Sequence, residues 1–210
     1  AELNNVAQAA NTRKRENGSF YFFQEDPAKR IYVLLQGKVR LTQSTPEGQQ
    51  IILDYVNLGE SFGVVAFLSE TYYPVSAQAV GNCQALVWDE AALNRLVERW
   101  PRIALNALRI LANHTRDFQD KIRELSTERV ERRIARAVLR LAQQTGRKIE
   151  TGVLVDLAIT RQDLAEMTGT TRYTVSRTLQ QWEKQGLILA KREQIIIRYP
   201  HGLVSIAEDL

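Results

Sequence analysis

The chain of 210 residues is 44% hydrophobic and 25% charged, the balance of a globular protein with a buried core, which excludes disordered, collagen-like and low-complexity readings. One cysteine, Cys83, and two histidines exclude a disulfide framework and any Cys/His cluster with zinc-ligand spacing. The formal net charge of +4 is unevenly placed: residues 1–125 hold 14 Lys and Arg against 14 Asp and Glu, and residues 126–210 hold 14 against 10, so the C-terminal part is the one expected to meet a polyanion.

The N-terminal AELNNVAQAANTRKRENG has no hydrophobic signal core, and no apolar run approaches the ~20 residues of a membrane span, so a cytoplasmic protein without a membrane partner is expected. From about Phe20 to Trp88 come short β-branched or aromatic runs: FYFF, IYVLL, VRLTQ, IILDYV, AQAV and CQALVW. Turn signals separate them, among them Gln36-Gly37, Pro46-Glu47-Gly48 and Gly59. That rhythm predicts an antiparallel β barrel or sandwich within residues 1–100. Alternation in Lys38-Val39-Arg40-Leu41-Thr42 points Val39 and Leu41 inward.

After Asp89 the period becomes helical. Asp89-Glu90 opens a helix with an acidic first turn, and Trp100-Pro101 breaks it. Residues 101–126 then read as one long helix whose apolar seam runs Ala104, Ala107, Leu111, His114, Phe118, Ile122 and Leu125. A seam of this kind lies on the β domain or pairs with a second copy. A helix of roughly 35 Å at 1.5 Å per residue exceeds what one small barrel covers, which favours a homodimer. Ser126-Thr127 is expected to cap the next helix, running to about Gln144, with Val130, Ile134, Ala137, Val138 and Leu141 on its buried face. Its other face carries Arg129, Arg132, Arg133, Arg136 and Arg140, read as a solvated row paired with Glu128 and Glu131.

Function concentrates in residues 127–210. Thr160 with Asp163 three residues on forms a capping-box pattern, Gly169 ends that helix, and Thr171 caps a second one that closes at Gln185-Gly186. Ala165 lets two helices approach, Gly169 permits the turn and Val175 buries the second helix, which is helix-turn-helix spacing. LILA, KREQ and IIIR then read as a β hairpin, the wing of a winged helix-turn-helix. The partner this implies is double-stranded DNA. Arg172, Tyr173 and Arg177 form the exposed stripe assigned to base reading, because an arginine fork matches guanine O6 and N7. Thr160, Arg161, Gln162, Thr171 and Thr174 are assigned to backbone phosphates through hydroxyls and helix N-terminal amides. For Thr160 and Thr171 a capping role serves the fold at the same time.

The segments IYVLLQGKVRLTQSTPEGQQIILDYVNLGESFG and ITRQDLAEMTGTTRYTVSRTLQQWEKQGLI resemble the Crp/Fnr family of dimeric bacterial transcription regulators, and the order of elements matches over essentially the whole chain. The resemblance implies an α+β architecture: an N-terminal β jelly-roll related to cyclic-nucleotide-binding domains, a dimerisation helix, and a C-terminal winged helix-turn-helix. It also implies an inverted-repeat DNA site, RNA polymerase as a partner, and a small-molecule or redox effector acting through a hinge near Leu125 to Glu128.

Departures from the family pattern narrow the effector. Val64 stands where the cyclic-AMP-binding branch has an acid, and no arginine lies between Arg40 and Arg95. A buried phosphate needs a cation, so cyclic AMP is not expected. One cysteine cannot hold the iron–sulfur cluster of the oxygen-sensing branch. Tyr173 replaces the Glu common in the family's recognition helix, which predicts an altered half-site retaining a guanine read by Arg177. His114 on the seam is a haem ligand or proton switch only as a minor alternative to a polar seam residue, and no cofactor is expected. Cys83 reads as a buried, inert thiol. Tyr72, Tyr73 and Trp88 fit either an apolar pocket or core packing. The alternatives are an effector-independent or architectural DNA-binding dimer and a cupin-type enzyme. The enzyme reading lacks its ligands, because no histidine precedes His114.

Overall fold

A computed structural model of the chain describes residues 2–68 and 71–208. The chain divides into two compact units, with the boundary between Asp117 and Phe118. The first unit runs α1 (Glu2–Gln8), β1 (Asn11–Arg15), β2 (Phe20–Phe22), β3 (Arg30–Ser44), β4 (Gln50–Val56), β5 (Ser61–Phe62), α2 (Val64–Leu68), β6 (Ser76–Asp89), α3 (Glu90–Arg99) and the first part of α4 (Arg102–Thr127). Its strands pair antiparallel in the order β1-β6-β3-β4, with β2 also on β6 and β5 also on β3.

The two long strands β3 and β6 form the spine, and here the turn expected at Gln36-Gly37 is replaced. The chain runs on as one strand, because the runs on both sides of Gly37 pair with the same neighbour, β6. The ladder shifts register on each side of Gln36, and Gly37 takes φ +82°, so the glycine makes a bulge. A Cβ there would lie 2.5 Å from Cys83 Sγ and 2.7 Å from the Asn82 carbonyl oxygen. Pro46-Glu47-Gly48 does make a turn, closed by the Gly48 amide on the Thr45 carbonyl. Inward alternation holds for Val39, but a further register shift, against β4 between Leu41 and Thr42, accompanies a half-buried Leu41 and a Thr42 turned into the core. Strand β1 has a charged sequence, Asn-Thr-Arg-Lys-Arg, that gives no hydrophobic signal; it lies at the sheet edge against β6, where charge discourages pairing with other chains.

The core is aromatic. Phe22 stacks on Tyr73 with centroids 3.7 Å apart, Tyr32 on Phe62 at 4.9 Å, and Tyr21 meets Phe62 edge-on at 5.2 Å; such pairs add about 0.5–1.5 kcal/mol each beyond area burial. A second cluster joins Trp88, Leu93 and Leu96 to Val6, Phe67 and Ile103, with Trp88 Nε1 donating to the Val6 carbonyl at 2.9 Å. Tyr73 is held in the first cluster and its hydroxyl donates to the Arg30 carbonyl at 2.7 Å. Tyr72 is exposed, while Tyr73 and Trp88 pack into different core clusters. Cys83 is buried, and its thiol donates to the Lys38 carbonyl at 2.9 Å. Burial pushes that thiol above its ordinary value, partly offset by the bonds to Lys38 and Val80.

The acidic start of α3 stands as expected, and Asp89 in addition caps the helix, its Oδ1 accepting from the Ala92 amide at 2.9 Å. The cap expected at Ser126-Thr127 is not formed. Both residues end α4, the Thr127 hydroxyl donating back to the Arg123 carbonyl at 2.8 Å, and α5 (Val130–Thr145) starts after Arg129 without a side-chain cap. The continuing 3.6-residue period through Leu125 carries the helix past the hydroxyl signal.

The second unit continues from the end of α4 and α5 with β7 (Gly146–Ile149), β8 (Gly152–Val155), α6 (Arg161–Thr168), α7 (Arg172–Lys184), β9 (Ile188–Lys191), β10 (Gln194–Ile197) and α8 (Pro200–Glu208). The wing hairpin β9–β10 stands where expected. It belongs to a four-stranded sheet of order β7-β8-β10-β9, whose first hairpin had no clear sequence signal. Ile134, Ala137, Val138 and Leu141 of α5 are buried, as are Val175, Leu179 and Trp182 of α7 and Leu203 of α8.

The arginine row on α5 is in part the solvated, Glu128-paired face expected: Arg129 and Arg140 are exposed and Arg136 meets Glu128, whereas Arg132 and Arg133 are half-buried. Arg140 Nη1 lies 2.6 Å from Glu124 Oε1 and Arg136 Nε 3.1 Å from Glu128 Oε2. Arg133 donates to the carbonyls of Glu128 and Thr168 at 2.8 and 3.0 Å, and Arg132 to that of Ala207 at 3.3 Å. Glu131 accepts from Trp182 Nε1 at 3.0 Å. Thr168 and Ala207, 35 and 75 positions away, supply acceptors to which helical periodicity is blind.

Candidate nucleic-acid interface

Each helix of the helix-turn-helix is fixed at its start by a threonine. The Thr160 hydroxyl accepts from the Asp163 amide at 3.0 Å, and Asp163 Oδ2 accepts from the Thr160 amide and hydroxyl, both at 2.7 Å. The single hydroxyl proton of Thr160 is thus committed to Asp163. What α6 offers an anion is therefore the backbone amides of its first turn and the side chains of Arg161 and Gln162. Gln162 Nε2 donates to Glu166 at 3.0 Å on the exposed surface.

The turn closes as the glycine predicts: Gly169 takes φ 60° and ψ 47°, its amide donating to Ala165. Thr171 then caps α7, accepting from the Thr174 amide at 3.1 Å, and the two hydroxyls lie 3.0 Å apart. One donates to the other, which leaves the second proton of the pair free to meet an oxygen from outside. Ala165 and Val175 are buried between the helices.

On the outer face of α7, Arg172, Tyr173 and Arg177 are all exposed, Tyr173 at 76%. Neither arginine has a hydrogen bond or ion pair to a described residue. The buried side of the same helix, Val175, Leu179 and Trp182, anchors this stripe to the core.

A cleft of about 270 Å³ lies between the start of α6, the start of α7 and the wing. Thr160, Arg161, Gln162, Arg172, Lys191 and Arg192 line it. The structure thus brings four predicted site residues together and adds two cations of the wing that sequence reasoning placed in the hairpin without a role. Their signal was present in KREQ, a turn with two adjacent cations; what was missing was the fold that carries the turn back beside α6.

The α4 seam is only partly as drawn from sequence. Phe118, Ile122 and Leu125 are exposed, whereas Ala104, Ala107, Leu111 and His114 are half-buried. Leu105 and Leu108, outside the predicted seam, are more than half exposed. A heptad row follows positions 104, 108, 111, 115, 118, 122 and 125, in alternating steps of four and three, with Leu108, Thr115, Phe118, Ile122 and Leu125 exposed and Ala104 and Leu111 half-buried. Ala107 and His114 lie one position to its side, in line with half-buried Ile103 and Ile110.

Residues 132–206 match the Crp-like helix-turn-helix domain and residues 12–99 the cyclic nucleotide-binding domain. The cyclic AMP receptor protein of Thermus thermophilus is 32% identical over 193 residues, covering 92% of this chain and 86% of the relative. The chain belongs to the Crp/Fnr family.

Like its Crp/Fnr relatives it is a DNA-binding transcription regulator and not an enzyme. The CRP-like cAMP-activated global transcriptional regulator of Mycobacterium tuberculosis is 26% identical over 180 residues, 86% of this chain and 80% of that protein. Among solved structures, the Thermus thermophilus catabolite activator protein is 30% identical with a TM-score of 0.57, covering 100% of this chain and 95% of its own. The c-di-GMP-responsive regulator CLP of Xanthomonas campestris shares the fold at a TM-score of 0.82 and 21% identity, over 93% and 97% of the two chains. The α+β architecture of β domain, long helix and helix-turn-helix is the family's. No described helix is long and apolar enough to cross a membrane.

Proposed function

We propose that two copies pair along the open strip of α4 and read an inverted-repeat site, each placing the N-terminal half of α7 in a major groove. The observation that carries this reading is the bare outer face of α7, with Arg172, Tyr173 and Arg177 exposed above a buried backing. Arg172 and Arg177 are the guanine readers, and Tyr173 offers a hydroxyl and a ring suited to a thymine methyl, which sets this half-site apart. Backbone phosphates lie along the wing cleft, held by the α6 amides, Arg161, Gln162 and the Thr171–Thr174 pair, with Lys191 and Arg192 on the far side.

The heptad spacing of Leu108, Leu111, Phe118, Ile122 and Leu125 supports a second copy as the occupant of the strip. The effector is a small molecule or redox signal other than cyclic AMP: Val64 is buried where that nucleotide would need an acid, and the segment between Arg40 and Arg95 has no arginine for a cyclic phosphate. We assign no cofactor, and His114 no ligand role. In this reading the chain acts in the cytoplasm, on RNA polymerase at promoters.

Sedimentation and DNA binding test the pairing together. The full chain is expected to sediment as a dimer, and Ile122→Glu as a monomer that loses the inverted repeat. A monomeric wild type that still binds the repeat with full affinity contradicts the proposal. Transcription with purified RNA polymerase separates a regulator, which changes transcript yield at a bound promoter, from an architectural dimer, which leaves it unchanged.

A further inference from the structure

Among the described residues two carboxylates are buried, Asp163 and Glu124. Asp163 is engaged in the capping box of α6. Glu124 has no such local task. It sits near the end of α4, its side chain 7% exposed, and meets Arg140 of α5 across the bend between the two helices, Nη1 to Oε1 at 2.6 Å. Around it, Arg136 faces Glu128 at 3.1 Å, a charge contact without hydrogen-bond alignment. Arg133 ties the Glu128 carbonyl to the Thr168 carbonyl at the end of α6. Leu125 Cδ2 lies 3.1 Å from the place of a Cβ on Gly169, in the turn of the helix-turn-helix. The end of α4, the start of α5 and the turn before α7 are thereby one fixed piece of the second unit.

Glu124 is the buried partner and the Arg140 side chain is 43% exposed, so removing the arginine strands a carboxylate inside, whereas replacing both by apolar side chains of similar volume is close to neutral for stability. The distinctive property of the pair is direction, since the planar guanidinium of Arg140 donates from a fixed plane, here through Nη1 to Glu124 Oε1. We propose that Glu124, through Arg140, is a positioning residue for DNA recognition: it holds the bend from α4 into α5 at the angle that sets the spacing between the two α7 helices of a dimer. This rests on the reading that two copies pair along α4. The pair fixes which half-site separation the regulator accepts, while the bases within each half-site are left to α7.

The test uses the full chain and two kinds of duplex: single half-sites, and inverted half-sites separated by spacers of varied length. Glu124→Leu with Arg140→Met replaces the pair by apolar volume. This double variant is expected to keep a cooperative melting transition, stay dimeric and bind single half-sites as the wild type does, yet accept a broadened range of spacers and bind the preferred inverted repeat about tenfold more weakly. Glu124→Gln carries the same test should the double variant not fold, with the same broadening expected. Arg140→Lys, which retains the charge without the planar guanidinium, is expected to broaden the spacer range as well. A folded variant with an unchanged spacer range overturns the proposal, as does equal loss on single and paired half-sites, which assigns the pair to the fold of the helix-turn-helix alone. A wild type with no preference for inverted over single half-sites removes the dimer reading, and this proposal with it.

Discussion

Helices α5 and α7 each carry a row of arginines. On α5, Arg133, Arg136 and Arg140 are drawn onto acceptors of their own unit, the carbonyls of Glu128 and Thr168 and the carboxylates of Glu128 and Glu124. On α7, Arg172 and Arg177 stand exposed without a described acceptor. The residue type is the same, and the difference lies in what the neighbouring elements supply. Helix α5 is bordered by the end of α4, the α6 carbonyls and α8. The outer side of α7 presents its arginines to no carboxylate or carbonyl among the described residues, Arg172 bordering only the cleft shared with the start of α6 and the wing. An arginine fork left without an intramolecular carboxylate or carbonyl is available to phosphate and guanine, which offer the same acceptor geometry.

This contrast is open to direct attack. The largest expected effect belongs to the shared anchor of the two helices. Trp182 is fully buried and donates to Glu131 of α5, so Trp182→Ala is expected to lower unfolding stability by about 3–5 kcal/mol, read by urea denaturation. A loss under about 1 kcal/mol would show that α5 and α7 are not held through it.

The arginine rows come next, and they are expected to fail in opposite assays. Arg133→Ala is predicted to cost about 1–3 kcal/mol of stability by stripping donors from the Thr168 and Glu128 carbonyls. Arg177→Ala is predicted to leave stability within about 0.5 kcal/mol while costing on the order of 1–3 kcal/mol of DNA affinity and relaxing preference at one base position. An Arg177→Ala variant that weakens every sequence equally would reassign that side chain to phosphate.

Thr171 sharpens the comparison at smaller scale, since it both caps α7 and shares its hydroxyl with Thr174. Thr171→Ala is expected to cost about 1 kcal/mol of stability together with a drop in affinity common to all sequences, and Thr171→Ser to restore both. A serine variant that recovers stability but not affinity would remove the phosphate role.

The smallest effect lies in the β domain and concerns pH. Burial raises the Cys83 thiol above its ordinary 9.0 and lifts the Tyr21 hydroxyl from 10.0 to about 12. Both groups keep their protons when folded and lose them more readily when unfolded. The folded state therefore binds more protons between the two sets of values, and stability is expected to fall as pH rises through 9 and 10. Alkaline denaturation series on wild type and Cys83→Ala check this, the variant being expected to lose the part of the slope that begins near the thiol's ordinary value.

The two regions also differ in how much the amino-acid sequence disclosed. In the second unit the decisive signals are local: Thr160 with Asp163, Gly169, and Thr171 with Thr174 each act within four residues, and each stands where spacing placed it. The wing hairpin is local as well. In the β domain the decisive events are contacts across long sequence separations. Gly37 reads as a turn until Cys83 is brought against it, and β1 is legible only from its pairing with β6. The same reason explains Arg133 and Arg132, whose acceptors Thr168 and Ala207 lie on α6 and α8, whereas the pairing of Arg136 with nearby Glu128 was legible in the sequence. The α4 seam falls between these cases: period alone identified an apolar face, of which Phe118, Ile122 and Leu125 are exposed, while the half-burial of Ala104, Ala107, Leu111 and His114 depends on packing that period does not show.

The central claim is that α7 reads bases and that two copies do so symmetrically. Selection from random duplex DNA by the purified full chain, followed by sequencing of the retained molecules, tests it most directly. The account predicts an enriched inverted repeat containing a guanine whose enrichment disappears with Arg177→Ala. Retention of DNA without any enriched sequence, under salt conditions where the chain binds, would contradict it.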